Sequence, residues 1–502
     1  MSASQIVEQT QTLIASKPEI APGKLFIGGQ WRDAQNGETK PSYNPFNDEV
    51  VTTIAQATVT DLEDAVKAAQ QALSGSWSKM KGRDRAKLLN RIADLIDENL
   101  EDLAYRQVVE MGKTISQSRF EISYTSDLFR YHAGWAGKLD GTAPEVINPG
   151  EFHTYTRREP IGVVCAITPF NVPIYLMATK AAAALAAGCT FIHKPASTTS
   201  VSALKFAEIL QQAGVPDGVF NLITGPGGSL GKAISRHRGI NKIGFTGSTE
   251  VGVDIVRESA ATMKRVTMEL GGKSPHVVLA DADLETTAQN ALIGNFTNSG
   301  QICTSGSRLI VERPVYAELV ERLKALLDGC TIGDPLDPNT FFGPVASKHQ
   351  QQQILQYFDI GHKDGATAAY GGDNSKFANS KGAFVQPTLF TDANNQMRIA
   401  REEIFGPILT VIPVADLDEA ISVANDTDYG LASYIETRDP VKAHRFSKAV
   451  EAGTVWINTA YQWDSAAPYG GYKLSGYGRE NGMETYENYT QLKTVWWNMD
   501  AS

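Results

Sequence analysis

The chain has 502 residues, 42% hydrophobic and 20% charged, the composition of a globular protein long enough for two or three packed domains. Its formal net charge is -10, and no Lys/Arg cluster goes beyond short pieces such as 79–85, so no nucleic-acid partner is expected: phosphate binding needs a basic face. Four cysteines (Cys165, Cys189, Cys303 and Cys330) fall in neither metal-ligand nor disulfide spacing, so no metal is expected and a reducing cytoplasm is the expected compartment.

From the amino terminus, MSASQIVEQTQTLIASKPEI lacks the basic flank and apolar core of a secretory signal. Residues 61–75 and 84–111 place apolar side chains at helical period and predict amphipathic helices lying over a sheet. The span 152–159 and the tail 489–498 are β-rich outside the main domains, and either is expected to offer a strand to another chain. From residue 161 the apolar runs IGVVCAI, CTFIH, VFNLI, NKIGFT and RVTMEL alternate with helical stretches at 175–187, 200–213, 229–236 and 249–260. Continuous apolar strands separated by helices predict a doubly wound α/β architecture, a parallel sheet covered on both faces that binds ligands at the carboxyl ends of its strands. The alanine-rich stretch 175–188 contains Lys180 and is too short to span a bilayer, so a buried helix is predicted and no membrane partner. A second series, HVVLA, RLIVE, a helix at 315–327, TLFTD and ILTVIPV, predicts another α/β domain.

Five stretches carry chemistry. GPGGSLG at 225–231 follows a strand and precedes a helix; its GxGxxxG spacing leaves it open between an anion cradle and a plain tight turn. In FTGSTEVG at 245–252, Ser248 or Thr249 caps a helix whose free N–H groups either face an anion or are merely capped. Lys194 ends a strand before Pro195, placed either to bond ribose or phosphate or to sit on the surface. Glu269, at the end of RVTME and before two glycines, is costly to bury unpaired, and partial burial raises its pKa toward that of a general base; a structural glutamate is the other reading. Cys303 has Gly300, Gln301, Thr304, Ser305 and Gly306 around it, where an inert buried cysteine takes apolar neighbours. A thiol near positive charge, a helix N-terminus or a base becomes a nucleophile.

The stretches ITPFNVP (167–173), HKPAS (193–197), FTGSTEVG, MELGGKSP, FTNSGQICTSGSR (296–308), EEIFGPI (402–408) and PYGGYKLSGYGRENG (468–482) follow one another as in the aldehyde dehydrogenase superfamily, which the chain resembles from about Leu25 to Trp497. The resemblance implies a Rossmann-type NAD(P)-binding domain (1–137 and 161–271), an α/β catalytic domain (272–472), a β-rich oligomerisation element (138–160 and 485–502), and a homodimer or homotetramer. It makes Cys303 the nucleophile that forms a thiohemiacetal and then a thioester with an aldehyde, and Asn171 with the Cys303 N–H the holders of the oxyanion. Glu269 becomes the base of hydrolysis, with Lys180 and Glu480 linked to proton movement around it. Glu403 and Phe405 are implied to position the nicotinamide ribose and ring, and Ser248 to contact the pyrophosphate. Further cofactor contacts are implied for Ile167, Thr168, Pro169 and Phe170, for Lys194, Ser197 and Gly227, and for Phe245, Thr246, Gly247, Val251 and Leu270.

Departures from the family pattern sharpen the expectations. Ser197 stands where many NAD-preferring members carry glutamate; without a carboxylate to repel a 2′-phosphate, NADP+ as well as NAD+ is expected to be accepted. Val172, Thr179 and Thr297 stand at positions usually bulky in short-chain aliphatic members, while Trp463 and Tyr469 keep aromatic walls. The expected substrate is therefore larger than acetaldehyde: aromatic, long-chain or polar-substituted aliphatic. Lys-Pro-Ala-Ser occurs in succinate-semialdehyde enzymes, but Thr179 replaces their carboxylate-binding arginine; Tyr461, Trp463 and Tyr469 leave a betaine aldehyde open. A coenzyme A-acylating enzyme is opposed by Glu269, and a non-catalytic protein on the same fold by the intact set of Cys303, Asn171, Glu269 and Glu403.

Overall fold

A computed structural model describes residues 18–500. Residues 1–17 and 501–502, which hold most of the stretch tested above for a secretory signal and the outer ends of the expected cofactor domain and oligomerisation element, lie outside the described residues.

Two large sheets organise the chain. In the first, five parallel strands lie in the spatial order Phe220–Leu222, Thr190–Lys194, Val163–Ile167, Lys242–Thr246, Arg265–Glu269, so the strand first in the chain sits centrally and the order reverses beside it. A crevice opens at the carboxyl ends of Val163–Ile167 and Lys242–Thr246, where successive crossover helices leave in opposite directions. The strands read as unbroken apolar runs because both faces are covered: Val164 and Ala166 enter one hydrophobic cluster while Val163 and Cys165 enter another. Leu25–Ile27 and Gln30–Arg32 extend one edge antiparallel. At the other edge Gly476–Tyr477 returns from the far end of the chain to pair beside Glu269.

The helix Pro173–Ala187 is buried along all of its length. Its alanines let it pass closely between the sheet and the helix Ile115–Trp135, and Gly188, at φ 93°, ends it in the left-handed region. The predicted helix over 84–111 is two helices, Gly82–Glu98 and Leu100–Met111, broken where the Asn99 amide turns back to bond the Leu95 carbonyl at 2.8 Å. Ile115–Trp135 was not anticipated, because it buries polar as well as apolar residues and shows no clean apolar stripe.

The second sheet runs Thr367–Tyr370, Thr388–Thr391, Ile408–Val414, Arg308–Glu312, Pro275–Val278, Ala432–Glu436, Thr454–Ile457, parallel throughout except for its first strand. The two β-rich stretches pair with one another: Phe152–Pro160 and Thr490–Asn498 form an antiparallel ribbon in continuous register from Pro160↔Thr490 to Phe152↔Asn498. Each thereby satisfies one edge within the chain. Among the described residues no helix is long and apolar enough to cross a membrane.

Candidate active site

Cys303 follows the helix Leu284–Phe296 and a tight turn, Thr297–Gly300. Asn298 and Ser299 both sit at φ 53° and Gly300 at φ 72°; a Cβ on Gly300 would collide with the Gly406 carbonyl, so only glycine fits there. Side-chain amides stitch this strained turn to the segment after Ile167. Asn171 Nδ2 donates to the Gln301 carbonyl at 3.0 Å, Asn298 Nδ2 to the Asn171 carbonyl at 3.1 Å, and Gln301 Nε2 to the Asn298 carbonyl at 3.0 Å.

The polar neighbours that make Cys303 conspicuous in the sequence thus serve the loop. Gln301 is spent on Asn298 and on the Ala346 N–H, and the Ser305 hydroxyl faces the carbonyls of Asn295 and Gly300. Among the described residues the sulfur itself has one polar side-chain partner, the Tyr469 hydroxyl at 3.4 Å. Burial pushes the thiol up to about 12, with the Glu403 and Glu269 carboxylates adding to the rise and the Tyr469 hydrogen bond opposing it. The expected thiolate-favouring surroundings are therefore not built into the protein alone.

Cys303 lines two cavities at once. One, of about 320 Å³, is walled almost wholly by apolar atoms and contains all the predicted substrate-facing residues, Val172, Thr179, Thr297, Trp463 and Tyr469, together with Asn171 and Glu480. The other, about 360 Å³, is the crevice of the first sheet; Pro169, Phe170, Thr246, Gly247, Ser248, Leu270, Glu403 and Phe405 line it with Glu269.

Glu269 ends its strand, is only 3% exposed, and among the described residues has no hydrogen-bond partner on either oxygen. Burial holds its carboxyl well above the usual range, the nearby Glu480 charge raises it further, and Lys180 and Arg479 oppose. Room for it depends on Gly470, at φ 158°, where a Cβ would stand 3.0 Å from Glu269 Oε1. Lys180, fully buried, lines neither cavity; its Nζ lies 2.5 Å from Glu480 Oε1 and donates to Thr246 Oγ1 at 2.7 Å. Thr179 Oγ1 donates to the other Glu480 oxygen at 2.9 Å.

Around the crevice, Phe405, at φ 53°, meets Phe170 edge-on at 5.7 Å. Glu403, pushed up to about 7 by burial, accepts the Gly272 N–H at 3.2 Å. Lys194 is buried, donates to the Pro195 carbonyl at 3.0 Å, and has Gly227 beside its Nζ. Ser197 is exposed and bonds the Gly225 carbonyl at 3.1 Å. Other predicted cofactor residues stand back from the crevice: Ile167 ends its strand, Thr168 turns to His193 at 2.9 Å, Phe245 is buried beneath Gly247, and Val251 lies exposed on the helix Thr249–Ser259.

The residues fit a dinucleotide. The helices Thr249–Ser259 and Gly227–Arg236 begin at Ser248 and Pro226, neither of which makes a side-chain cap bond, so their first N–H groups are left for an anion. Lys194 and Glu403 add a donor and an acceptor suited to sugar hydroxyls.

Sequence reasoning missed Gln117, Phe120 and Tyr124 in the first cavity and Gln350, Gln353 and Tyr357 in the second. Spacings of three and four residues mark a helical face in each group, but that signal does not say what the face meets.

Comparison with known proteins places this geometry. The profile of the Aldehyde dehydrogenase family matches residues 31–495. "Aldehyde dehydrogenase family 2 member C4" of Arabidopsis thaliana is 44% identical over 481 residues, 95% of either chain. The NAD+ complex of an aldehyde dehydrogenase from Bacillus cereus superposes with a TM-score of 0.93 at 42% identity, over 97% of this chain and 98% of that one. A betaine aldehyde dehydrogenase from Staphylococcus aureus in complex with NAD+ gives 0.94 at 35% identity, over 97% and 96%.

Proposed function

The chain belongs to the aldehyde dehydrogenase family, and on that premise we propose that it oxidises an aldehyde to the carboxylic acid with Cys303 as nucleophile and Glu269 as the base of hydrolysis. The observation that carries this reading is the position of Cys303 on the shared wall of the apolar cavity and the dinucleotide crevice. An aldehyde arriving from one side and a hydride acceptor from the other meet at one sulfur. NAD+ bound in the crevice supplies the hydride acceptor, and its cationic ring favours the thiolate that burial opposes.

Deprotonated Cys303 Sγ adds to the carbonyl carbon, and the oxygen that gains the electron pair is held by the Asn171 amide and the Cys303 N–H. Asn171 is preset for this, since one of its N–H groups is already fixed on the Gln301 carbonyl. Loss of hydride leaves a thioester on Cys303. Glu269 takes a proton from the attacking water, the carbon–sulfur bond breaks, and Cys303 departs as thiolate while the acid leaves. A carboxyl raised by burial is, once it has lost its proton, a stronger base than an exposed glutamate. The Lys180–Glu480 pair carries the proton onward from Glu269.

Val172, Thr179 and Thr297 line the cavity with small side chains, and Trp463 packs on Tyr469 at 5.1 Å to make one aromatic wall, which supports a substrate larger than acetaldehyde, aromatic, long-chain or polar-substituted. Ser197 admits NADP+ beside NAD+. The two sheets and the ribbon support a division into cofactor domain, catalytic domain and oligomerisation element, and the ribbon's outer edges suit assembly into a homodimer or homotetramer. Free cysteines at all four positions suit a cytoplasmic compartment.

The test is NAD(P)H absorbance over an aldehyde panel, with and without coenzyme A. Turnover independent of coenzyme A and lost in Cys303→Ala is expected. An absolute need for coenzyme A points to acyl transfer instead, and silence of the wild type toward every aldehyde to a non-catalytic protein.

A further inference from the structure

A buried polar cluster lies beneath the Cys303 loop and lines neither cavity. It stands on one face of the second sheet, where His276, Tyr434 and Trp456 are register partners on three adjacent parallel strands. Their rings stack in series, His276 on Tyr434 at 4.9 Å and 22°, and Tyr434 on Trp456 at 4.8 Å and 25°. His276 and Tyr434 are fully buried. Glu436, two residues along the same face from Tyr434, lies 3.1 Å from His276 Nε2 and accepts Asn290 Nδ2 at 3.0 Å.

The middle ring reaches the reacting loop. Clamped on both faces, it presents its hydroxyl at one place, where it donates to the Thr304 carbonyl at 3.0 Å. That carbonyl has no other donor among the described residues. Cys303 and Thr304 are the central residues of a turn closed by the Ser305 N–H on the Ile302 carbonyl at 3.1 Å. Before the turn, Asn171 and Gln301 fix the chain; after it, Gly306 rests so closely on the stack that a Cβ there would stand 3.1 Å from His276 Cβ. Among the described residues no carbonyl engages the Cys303 N–H, so its direction is set by how the turn is held. Burying a histidine and a glutamate on this face costs stability against apolar residues of the same volume. What the pair supplies is a fixed plane for the imidazole, and through it for the phenol.

We propose that Tyr434, clamped between His276 and Trp456, is a positioning residue for the oxyanion site: its hydroxyl holds the Thr304 carbonyl so that the Cys303 N–H points at the aldehyde oxygen as negative charge develops there. The proposal rests on the aldehyde-oxidising reading above and adds a residue to that site. Tyr434 acts through Thr304 and is not a catalytic residue.

The experiment uses Tyr434→Phe, which keeps the stack and removes only the hydroxyl, with propanal and NAD+. Reactive Cys303 is counted in each preparation by iodoacetamide alkylation in the presence of NAD+, so that rates are per reactive sulfur and misfolded protein drops out. NADH formation in the first turnover, which reports acylation, should fall about tenfold while KM for propanal stays within about twofold. Alkylation needs the sulfur but no oxyanion, so its rate constant should stay within about twofold of wild type. Asn171→Ala should cost at least about threefold less in the Tyr434→Phe background than in the wild type, because both residues serve one oxyanion. An unchanged first turnover, an equal loss in alkylation, additive costs with Asn171→Ala, or a variant with no alkylatable Cys303 overturns the positioning role. Any of these beside normal wild-type turnover sinks Tyr434 alone; a wild type that forms no NADH from propanal or any other aldehyde sinks the aldehyde-oxidising reading with it.

Discussion

Tyr469 and Glu480 exchange both backbone hydrogen bonds, at 2.8 and 2.7 Å, across an antiparallel bridge. The phenol against Cys303 and the carboxylate that presses on Glu269 are thus carried by one short piece of chain. The proposed nucleophile and base are thus tuned from a common support, so changes on either side of it are expected to read out at both.

Removing Glu480 takes a like charge from beside Glu269. Glu480→Gln should lower the Glu269 pKa, so that the acidic limb of the hydrolysis rate, where Glu269 must lose its proton to act, moves to lower pH. A pH profile of steady-state turnover measures it; an unmoved or raised limb contradicts the coupling. Lys180→Met instead strands the buried Glu480 charge and should cost about 3–5 kcal/mol in urea unfolding.

Glu269→Gln should keep acylation and stall release, giving a burst of NAD(P)H near one equivalent and little turnover after it. Its stability should also respond differently to pH. Because the folded-state pKa of Glu269 is raised, the native protein holds a proton the unfolded chain gives up, and stability is lost as pH rises from the ordinary glutamate range through the folded value. The glutamine variant lacks that loss, so its melting temperature should fall less over the same window; parallel curves would remove the effect.

Cys303 should be a slow target without dinucleotide. Alkylation by iodoacetamide at pH 7.5 (a chosen condition, about the middle of the physiological range) should be slower than that of free cysteine and should accelerate when NAD+ is added. Tyr469→Phe removes the side-chain hydrogen bond that lowers the thiol pKa and should slow it about tenfold further. Equal rates with and without NAD+ would mean that the sulfur is activated by the protein alone.

Asn171→Ala should cost about 2.7–4 kcal/mol of transition-state stabilisation, seen in kcat more than in KM. An effect confined to KM would make the amide a ground-state contact.

Ser197→Glu should lower kcat/KM for NADP+ at least about tenfold while leaving NAD+ in use, because the new carboxylate would face a 2′-phosphate. A similar loss with both cofactors would show that the side chain does not face the adenosine ribose.

The alternation of apolar runs and helices made the doubly wound sheet legible in the chain, since a strand buried on both faces leaves a period that needs no tertiary knowledge to read. The helix Ile115–Trp135 escaped because Glu121, Thr125 and His132 are buried in it, and burial of polar groups by remote partners erases the stripe that sequence reading depends on. With it went one wall of the cavity. The two β-rich stretches are legible as strands, but not that they pair with one another, because composition marks a strand without naming its edge.

The order of motifs by itself determined the family and the class of chemistry and singled out Cys303 as the proposed nucleophile, because each depends on residue type and local backbone. Tertiary structure alone decided the electrostatics. It showed that the polar residues around Cys303 tie its loop and leave the thiol high, and that Glu269 stands beside Glu480 with no hydrogen-bond partner among the described residues. Protonation depends on what surrounds a group in space, and those surroundings come from segments hundreds of residues apart.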